Sequence, residues 1–200
     1  MFKKIVLVTV FVVFISQCFL YSAFAPTCSA TGYHLSVTSK SKLGVRKLYM
    51  IGYIVNTSDI SIRKAFSIVN KVMYAYKITG LSPFLIMSVI KEESRFNRDA
   101  ISDVGAVGYM QLEPVVISEY GRGYSKSNIL VGSMYLKHLI NIFRGSYSQA
   151  LTAYNMGRTV VQEDNIRYSA YSNDILNRYN ILHNRFLDKL NYKVNYWRLN

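Results

Sequence analysis

The stretch that decides the fold is residues 85–114, LIMSVIKEESRFNRDAISDVGAVGYMQLEP. It opens with an apolar run, continues into an acidic pair and ends in a segment that contains two glycines and a proline. Glycine and proline in such a segment mark a loop, whereas the apolar run suits a buried helix. We therefore predict a helix that begins near Ser82-Pro83 and runs through LIMSVIKEES, followed by a loop with at most a short strand pair.

One carboxyl group of the acidic pair falls on the apolar side of this helix. At about 100° per residue, Glu93 shares the angle on which the apolar stripe is centred, whereas Glu92 falls at its edge. Burial disfavours the charged form of a carboxyl group and raises its pKa, which makes Glu93 a candidate acid. The pattern leaves two alternatives open: a buried ion pair with an arginine such as Arg95 or Arg144, or a helix end where Glu93 reaches solvent.

The periodicity of the remaining chain is also mainly helical. Apolar residues at helical spacing follow Ser61 until Gly80 offers a stop, and a second such pattern begins near residue 127 and ends by Gly145. A short helix should contain SQALTAYN, and a last helix should cover residues 175–190. The sequence thus predicts four or five helices around one core.

Length and composition indicate one domain preceded by a leader. Two hundred residues, half of them hydrophobic, suffice for a single core. Residues 1–25 carry two lysines and then an uncharged run that ends in Ala-Phe-Ala, which predicts a signal peptide or an uncleaved anchor and, either way, an exported protein of the periplasm or cell envelope. Residues 26–60 are predicted to be an irregular lead-in, residues 61–191 the main domain, and residues 192–200 a basic aromatic tail.

The chain is strongly basic, with a net charge of +13 that would fall to +11 if Lys3 and Lys4 left with the leader. Basic exported proteins are attracted to polyanions, which include cell-wall polymers, anionic lipids and nucleic acid. No concentrated Lys/Arg block or nucleic-acid motif is present, so we expect a wall or membrane surface and no nucleic acid as partner. The three histidines, His34, His138 and His183, show no ligand spacing, and we predict no metal site and no cofactor.

Residues 85–114 resemble the signature of the soluble lytic transglycosylase family, in which an apolar helix ends in Glu-Ser and is followed by an Asn-Pro loop, Gly-Ala-x-Gly-Leu-Met-Gln and a proline. A second block at residues 128–157, NILVGSMYLKHLINIFRGSYSQALTAYNMG, resembles the family's later helix pair, which ends in Ala-Tyr-Asn-x-Gly. Both blocks occur in the family's order, so the joint match is more specific than one short motif. The resemblance implies a mainly α, lysozyme-like domain of the goose-type lysozyme class with at most a small β-hairpin.

Carried over residue by residue, the resemblance assigns the catalytic glutamate to Glu93 and makes residues 61–191 the catalytic domain. It implies substrate-binding or supporting positions beside the glutamate, in the loop, in the Ala-Tyr-Asn motif and at a later groove tyrosine: Ser94, Ser102, Gly108, Tyr109, Met110, Gln111, Tyr154, Asn155 and Tyr171. For Met110, a place in the core is an equal interpretation.

The chain departs from the family pattern at several of these places. Arg98 stands where the family usually has proline, and Tyr109 where it has leucine. The family often carries an acidic-threonine pair before the groove tyrosine, and if that tyrosine is Tyr171, the two positions hold Arg167 and Tyr168. None of these departures touches Glu93.

Enzymes of this family cut peptidoglycan between N-acetylmuramic acid and N-acetylglucosamine, and the 6-hydroxyl of the muramic acid replaces water as the attacking group. The resemblance implies that reaction here, with Glu93 acting first as acid and then as base. A second carboxylate, such as Asp99 or Asp103, would favour a lysozyme-type hydrolase instead. A further alternative is a non-catalytic glycan-binding module of an envelope-spanning secretion, conjugation or pilus apparatus, whose components would then be partners beside the glycan strands.

Overall fold

Helices surround one central apolar helix in the computed structural model, which describes residues 39–121 and 127–199, with side chains described at 42–121 and 127–191. The elements of these ranges are α1 (Ser39–Thr57), α2 (Ile62–Thr79), α3 (Pro83–Ser94), α4 (Pro114–Tyr120), α5 (Asn128–Ile142), α6 (Tyr147–Met156), α7 (Arg158–Glu163) and α8 (Ala170–Leu199). The predicted leader at residues 1–25 lies outside the described residues. Strand pairing within them amounts to isolated antiparallel bridges of Val107 with Ile101 and with Leu112.

The central helix is α3, which packs against α2, α5 and α8. Its first eight residues, from Pro83 to Ile90, are all buried, so the apolar stripe predicted from the sequence extends around the whole helix. Proline is favourable at this first position because a helix start has no use for its missing N–H group. Ser82 precedes it without a side-chain capping hydrogen bond. The helix therefore depends on burial rather than on a cap.

The bounds of α2 match the sequence prediction. Oγ of Ser61 accepts a hydrogen bond from the backbone N–H of Lys64, and Gly80 ends the helix with φ of 72° and an N–H that donates to the carbonyl of Tyr76. Serine at the start and a left-handed glycine at the end are the residues that these positions favour. The helices predicted after residue 127 and over SQALTAYN are confirmed as α5 and α6.

Other elements differ from the prediction. Residues 39–57 form α1 instead of an irregular lead-in, because Met50 and Ile54 are fully buried and tertiary packing stabilises a helix whose periodicity is weak. The short helices α4 and α7 were not predicted. The backbone of α8 begins at Ala170 and continues to Leu199, so residues 192–199 extend a helix rather than form a separate tail. The described ranges thus contain eight helices instead of four or five.

The buried apolar residues of α1, α2, α3, α5, α6 and α8 form one hydrophobic cluster. This confirms the prediction of one core within the described residues, and with it the mainly α fold class. Among the described helices, none is both long and apolar enough to cross a membrane.

Candidate active site

Glu93 lies in the last turn of α3, one residue before the helix ends at Ser94. The chain then passes through two consecutive left-handed residues that are not glycine, Arg95 with φ of 51° and Phe96 with φ of 68°. Such conformations cost on the order of 1–3 kcal/mol each and persist where the surroundings fix them. Phe96 supplies that constraint, since its ring is buried and packs edge-on against Tyr53 with 6.3 Å between ring centroids. The chain therefore turns sharply directly after Glu93.

The two neighbouring glutamates have different partners. Oε2 of Glu92 forms a salt bridge with Nη2 of Arg178 on α8, at a distance of 2.8 Å. The described residues contain no other salt bridge. Nη1 of the same arginine donates to the carbonyl oxygen of Ser88 at 3.1 Å. Glu93 instead accepts a hydrogen bond at Oε1 from the hydroxyl of Tyr171. Its carboxyl group is thus bound by a neutral donor, and the buried ion pair considered from the sequence is not what holds it.

Burial raises the pKa of Glu93 from 4.5 to about 7. The hydrogen bond from Tyr171 acts in the opposite direction and lowers this pKa, and the nearby carboxylate of Glu92 raises it by a smaller amount. Burial also raises the pKa of Tyr171 well above its ordinary value, so its hydroxyl remains a donor near neutral pH. Glu93 can therefore both give and accept a proton near neutral pH.

The loop after α3 is held in place by the side chains of Ser94 and Tyr154. Oγ of Ser94 lies 2.8 Å from the carbonyl oxygen of Tyr109 and 3.2 Å from that of Ile90, and its hydroxyl donates to this pair of acceptors. The hydroxyl of Tyr154 on α6 donates to the carbonyl oxygen of Met110 at 2.8 Å. Burial raises the pKa of Tyr154 well above its ordinary value, and the charge of Glu93 raises it further. Hydrogen bonds thus attach the loop to the C-terminal ends of both α3 and α6.

Asn128, the first residue of α5, is a further clamp that the sequence did not reveal. Its Oδ1 accepts a hydrogen bond from the N–H of Met110 at 2.8 Å, and its Nδ2 donates to the carbonyl oxygen of Val107 at 2.8 Å. Gly108 lies between these two positions with φ of 80°, and a Cβ atom there would come within 2.7 Å of Nδ2 of Asn128. The loop therefore requires glycine at position 108 for both conformation and space.

Two other predicted residues use their side chains inside the loop. Gln111 has a left-handed backbone, with φ of 44°. Its Nε2 donates to the carbonyl oxygens of Gly108 at 2.9 Å and Ala100 at 3.0 Å. Oγ of Ser102 accepts a hydrogen bond from the N–H of Ala106 at 3.0 Å. Both side chains thus shape the loop through intramolecular hydrogen bonds.

Met110 lies in the core, as its alternative interpretation predicted. Its side chain is fully buried, and a Cβ atom added at Gly132 of α5 would come within 2.7 Å of its Sδ atom. Asn155 is exposed near the end of α6. The structure therefore brings the hydroxyl of Tyr171 to the carboxyl group of Glu93 and that of Tyr154 to the adjoining loop, with Met110 in the core and Asn155 at the surface.

A cavity of about 620 Å³ is lined in part by Tyr109. Its lining includes Lys71, Arg98, Tyr109 and Asn128 together with apolar residues of the loop, whereas Glu93 is not among the residues that line it. Nζ of Lys71 lies 5.8 Å from the centroid of the Tyr109 ring. Burial raises the pKa of Tyr109, while the charge of Arg98 lowers it. Tyr109 thus lines the cavity and, through its carbonyl oxygen, also joins the loop to Ser94 of α3.

The two carboxylates considered as second acids, Asp99 and Asp103, are both exposed. The N–H of Asp99 donates to Oδ1 of Asn97 at 3.0 Å, which is a local turn contact, and Asp99 also lines the cavity. Among the described residues, no group of three or more His, Cys, Asp or Glu could hold a metal ion.

Comparison with known proteins gives a match to the sequence profile described as the transglycosylase SLT domain, over residues 70–177. An inactive mutant of the lytic transglycosylase Slt from Pseudomonas aeruginosa is 25% identical, with a TM-score of 0.50, and the match covers 61% of this chain and 24% of that one. The 70 kDa soluble lytic transglycosylase of Escherichia coli is 17% identical over 76% of this chain and 31% of that one, with a TM-score of 0.49. The chain therefore spans about a quarter to a third of the length of these solved proteins.

Proposed function

The chain belongs to the transglycosylase SLT family, because the profile matches more than half of the chain, residues 70–177, and we propose that the protein is a peptidoglycan lytic transglycosylase. We further propose that Glu93 is its acid and base. The proposal rests on the environment of one carboxyl group, that of Glu93. Glu93 is half-buried, its pKa is raised to about 7, and it is hydrogen-bonded by Tyr171 rather than paired with a cation among the described residues.

The proposed reaction uses this carboxyl group twice. In the first step, protonated Glu93 gives its proton to the oxygen between N-acetylmuramic acid and N-acetylglucosamine, and the bond from that oxygen to C1 of the muramic acid breaks. In the second step, the carboxylate of Glu93 takes the proton of the muramic acid's own 6-hydroxyl, whose oxygen bonds to C1 and closes a 1,6-anhydro ring. No water is consumed, and Glu93 ends the cycle protonated.

The environment of Glu93 suits both steps. A group with a pKa near ambient pH exists in both protonation states, which is the condition for one residue to act as acid and then as base. The Tyr171 hydroxyl stabilises the carboxylate that exists between the steps. The Pseudomonas aeruginosa relative is inactive as a glutamate-to-glutamine mutant, which supports an essential glutamate carboxyl in this family.

We assign the remaining predicted residues to two tasks. Ser94, Ser102 and Gln111 make intramolecular hydrogen bonds, so their proposed task is to hold the loop rather than to bind glycan. Tyr109 and Asn155 are the predicted residues with side chains left for sugar contacts, Tyr109 through its ring at the cavity and Asn155 through its exposed amide. The proposed substrate is the glycan strand of peptidoglycan.

Export to the periplasm or cell envelope, and partnership with a secretion, conjugation or pilus apparatus, remain predictions from the leader and from the family resemblance. No described residue identifies such an apparatus. The hydrolase alternative would need a second carboxylate beside the scissile bond, and the two candidates, Asp99 and Asp103, lie exposed in the loop.

Digestion of purified peptidoglycan, followed by mass spectrometry of the products, tests the proposal. Wild type should release 1,6-anhydro-muropeptides, and Glu93→Gln should release none. Glu92→Gln is the matched control, because it removes the adjacent carboxylate and should retain activity. Products with reducing ends would identify a hydrolase instead. Absence of products from wild type, together with retention on sedimented wall sacculi, would identify a binding module.

A further inference from the structure

The outer side of α1 and α2 carries large apolar side chains in solvent. The exposed fractions are 72% for Leu48, 57% for Ile62, 54% for Phe66, 51% for Tyr74 and 45% for Ile78. Isolated exposed apolar residues are ordinary on soluble proteins, whereas a contiguous set marks a surface that binds something. The question is therefore whether these residues are contiguous.

Their helical positions place them on one surface. The four residues on α2 fall within an arc of about 160° at 100° per residue, and the buried residues of that helix other than Met73 fall outside this arc. The connection at 58–61 is short, which makes α1 and α2 antiparallel neighbours. Nζ of Lys47 donates to Oδ1 of Asn70 at 3.0 Å across them. Leu48 directly follows Lys47 on α1 and is exposed, so exposed apolar side chains occur on α1 beside this contact as well as on α2.

The same two helices are basic and contain no acidic residue. Their basic residues are Lys40, Lys42, Arg46, Lys47, Arg63, Lys64, Lys71 and Lys77. The salt bridge found in the described part of the chain joins Arg178 to Glu92, outside α1 and α2. Arg63 and Lys77 are exposed on the apolar side of α2. This surface therefore presents apolar groups and uncompensated positive charge together.

We propose that this outer surface of α1 and α2 binds the surface of an anionic lipid bilayer. We call it the docking face, and its residues are Leu48, Ile62, Phe66, Tyr74 and Ile78 with the basic residues Arg63 and Lys77. The apolar side chains would enter the boundary between headgroups and acyl chains, while lysine and arginine extend to the phosphates. A nucleic acid or a wall polymer would satisfy the charges but leave the apolar side chains in water. The combination therefore favours lipid.

The docking face is separate from the proposed chemistry. Its residues lie on α1 and α2, whereas Glu93 lies on α3 and Tyr171 on α8. Binding to vesicles can be measured without peptidoglycan, so its outcome does not depend on whether the chain cleaves glycan.

Spin labelling of the full chain tests the docking face directly. Cys18 and Cys28 are replaced by serine, and a single nitroxide is attached through Phe66→Cys or, as the matched control, through Gln162→Cys at an exposed site on α7. Accessibility of each label to a water-soluble nickel complex is measured by electron paramagnetic resonance, with and without vesicles of phosphatidylglycerol and phosphatidylethanolamine. Vesicles should lower accessibility at least threefold at position 66 and leave it unchanged at position 162. Both variants contain the leader, and a label that the leader merely brings near the bilayer stays in water, where the nickel complex still reaches it.

Charge reversal tests the electrostatic part. Arg63→Glu with Lys77→Glu should return the label at position 66 to its vesicle-free accessibility, whereas reversal of the exposed Arg144 and Arg185 should not. Circular dichroism checks that each variant retains its helices. Equal accessibility with and without vesicles would overturn the proposal, and so would equal immersion in neutral phosphatidylcholine vesicles. Concentration-dependent spin–spin broadening without vesicles would show that a second copy covers the face instead.

Discussion

The hydroxyl of Tyr171 donates a hydrogen bond to Oε1 of Glu93, although 78 residues separate the two in sequence. Tyr171 lies in the first turn of α8 and Glu93 in the last turn of α3, so packing between these helices determines the state of the carboxyl group. Burial raises the pKa of Glu93 and the hydrogen bond lowers it, with the balance at about 7. A substitution at either residue should therefore change the pH at which the side chain of the other one ionises.

Tyr171→Phe should move the pH profile of the reaction upward. The substitution removes a donor to a charged acceptor, worth about 1.5–3 kcal/mol, which corresponds to a pKa increase of about 1–2 units. Since the proposed first step requires protonated Glu93, activity should fall as pH rises through the pKa of this group, and in the variant that fall should occur at higher pH. The measurement is anhydro-muropeptide release at pH 5 to 10.

Tyr168→Phe serves as the control for this variant, because Tyr168 is 68% exposed and lies three residues before Tyr171. Its profile should coincide with that of wild type. A Tyr171→Phe profile with an unchanged midpoint would mean that the hydrogen bond does not set the pKa of Glu93.

The raised pKa of Glu93 also predicts a pH-dependent free energy of unfolding. The folded pKa of about 7 exceeds the ordinary value of 4.5, so stability from this group is fully present below pH 4.5 and is lost as pH rises through 7. Glu93→Gln cannot ionise and escapes this loss. The variant should therefore gain about 3 kcal/mol relative to wild type between pH 4 and pH 8.

Urea unfolding of both proteins at these two pH values measures the difference. Other titrating groups are common to wild type and variant and largely cancel in the comparison. Parallel pH dependences would show that the carboxyl group of Glu93 is not desolvated, and they would do so without any assay of activity.

Asn128→Ala should release the loop that carries Tyr109 and Met110. The substitution leaves the N–H of Met110 without its partner, at about 1–3 kcal/mol, and removes one of the two hydrogen bonds that the carbonyl of Val107 accepts, the other coming from the N–H of Leu112. We expect a loss of roughly 2–4 kcal/mol in the free energy of unfolding, together with a lower rate of glycan cleavage. Asn141→Ala, at an exposed position on the same helix, should change stability by less than about 0.5 kcal/mol. Equal effects of the two substitutions would remove the assigned role of Asn128.

Local sequence signals were sufficient for the elements whose ends are set by nearby residues. Ser61 and Gly80 bound α2 as predicted, and Pro83 begins α3. The inward position of Glu93 followed from helical periodicity, although α3 is buried on every side of its first eight residues. Such features depend on contacts within a few residues of one another, which is why the sequence shows them.

The features missed by the sequence depend on distant contacts. The helix at residues 39–57 forms because Met50 and Ile54 are buried in a core supplied by other elements. The roles of Asn128 and Arg178 arise from partners 18 and 86 residues away, Met110 and Glu92. An asparagine after a capping serine predicts no more than a helix start, and an arginine on a polar helix predicts no more than a charged surface.

Gly108→Ala and Gly105→Ala form a matched pair that isolates one close contact. Both glycines are left-handed, with φ of 80° and 82°, so alanine at either position should cost about 1–2 kcal/mol for its conformation. A Cβ atom at position 105 would have nothing within 4 Å, whereas one at position 108 would lie 2.7 Å from Nδ2 of Asn128. Gly108→Ala must therefore also displace Asn128 from its two hydrogen bonds, which adds roughly 2–4 kcal/mol. Thermal or urea unfolding should show Gly108→Ala as the less stable variant by that amount, and glycan cleavage should fall further in it than in Gly105→Ala. If the two variants lost the same stability, the contact between Gly108 and Asn128 would not constrain the loop.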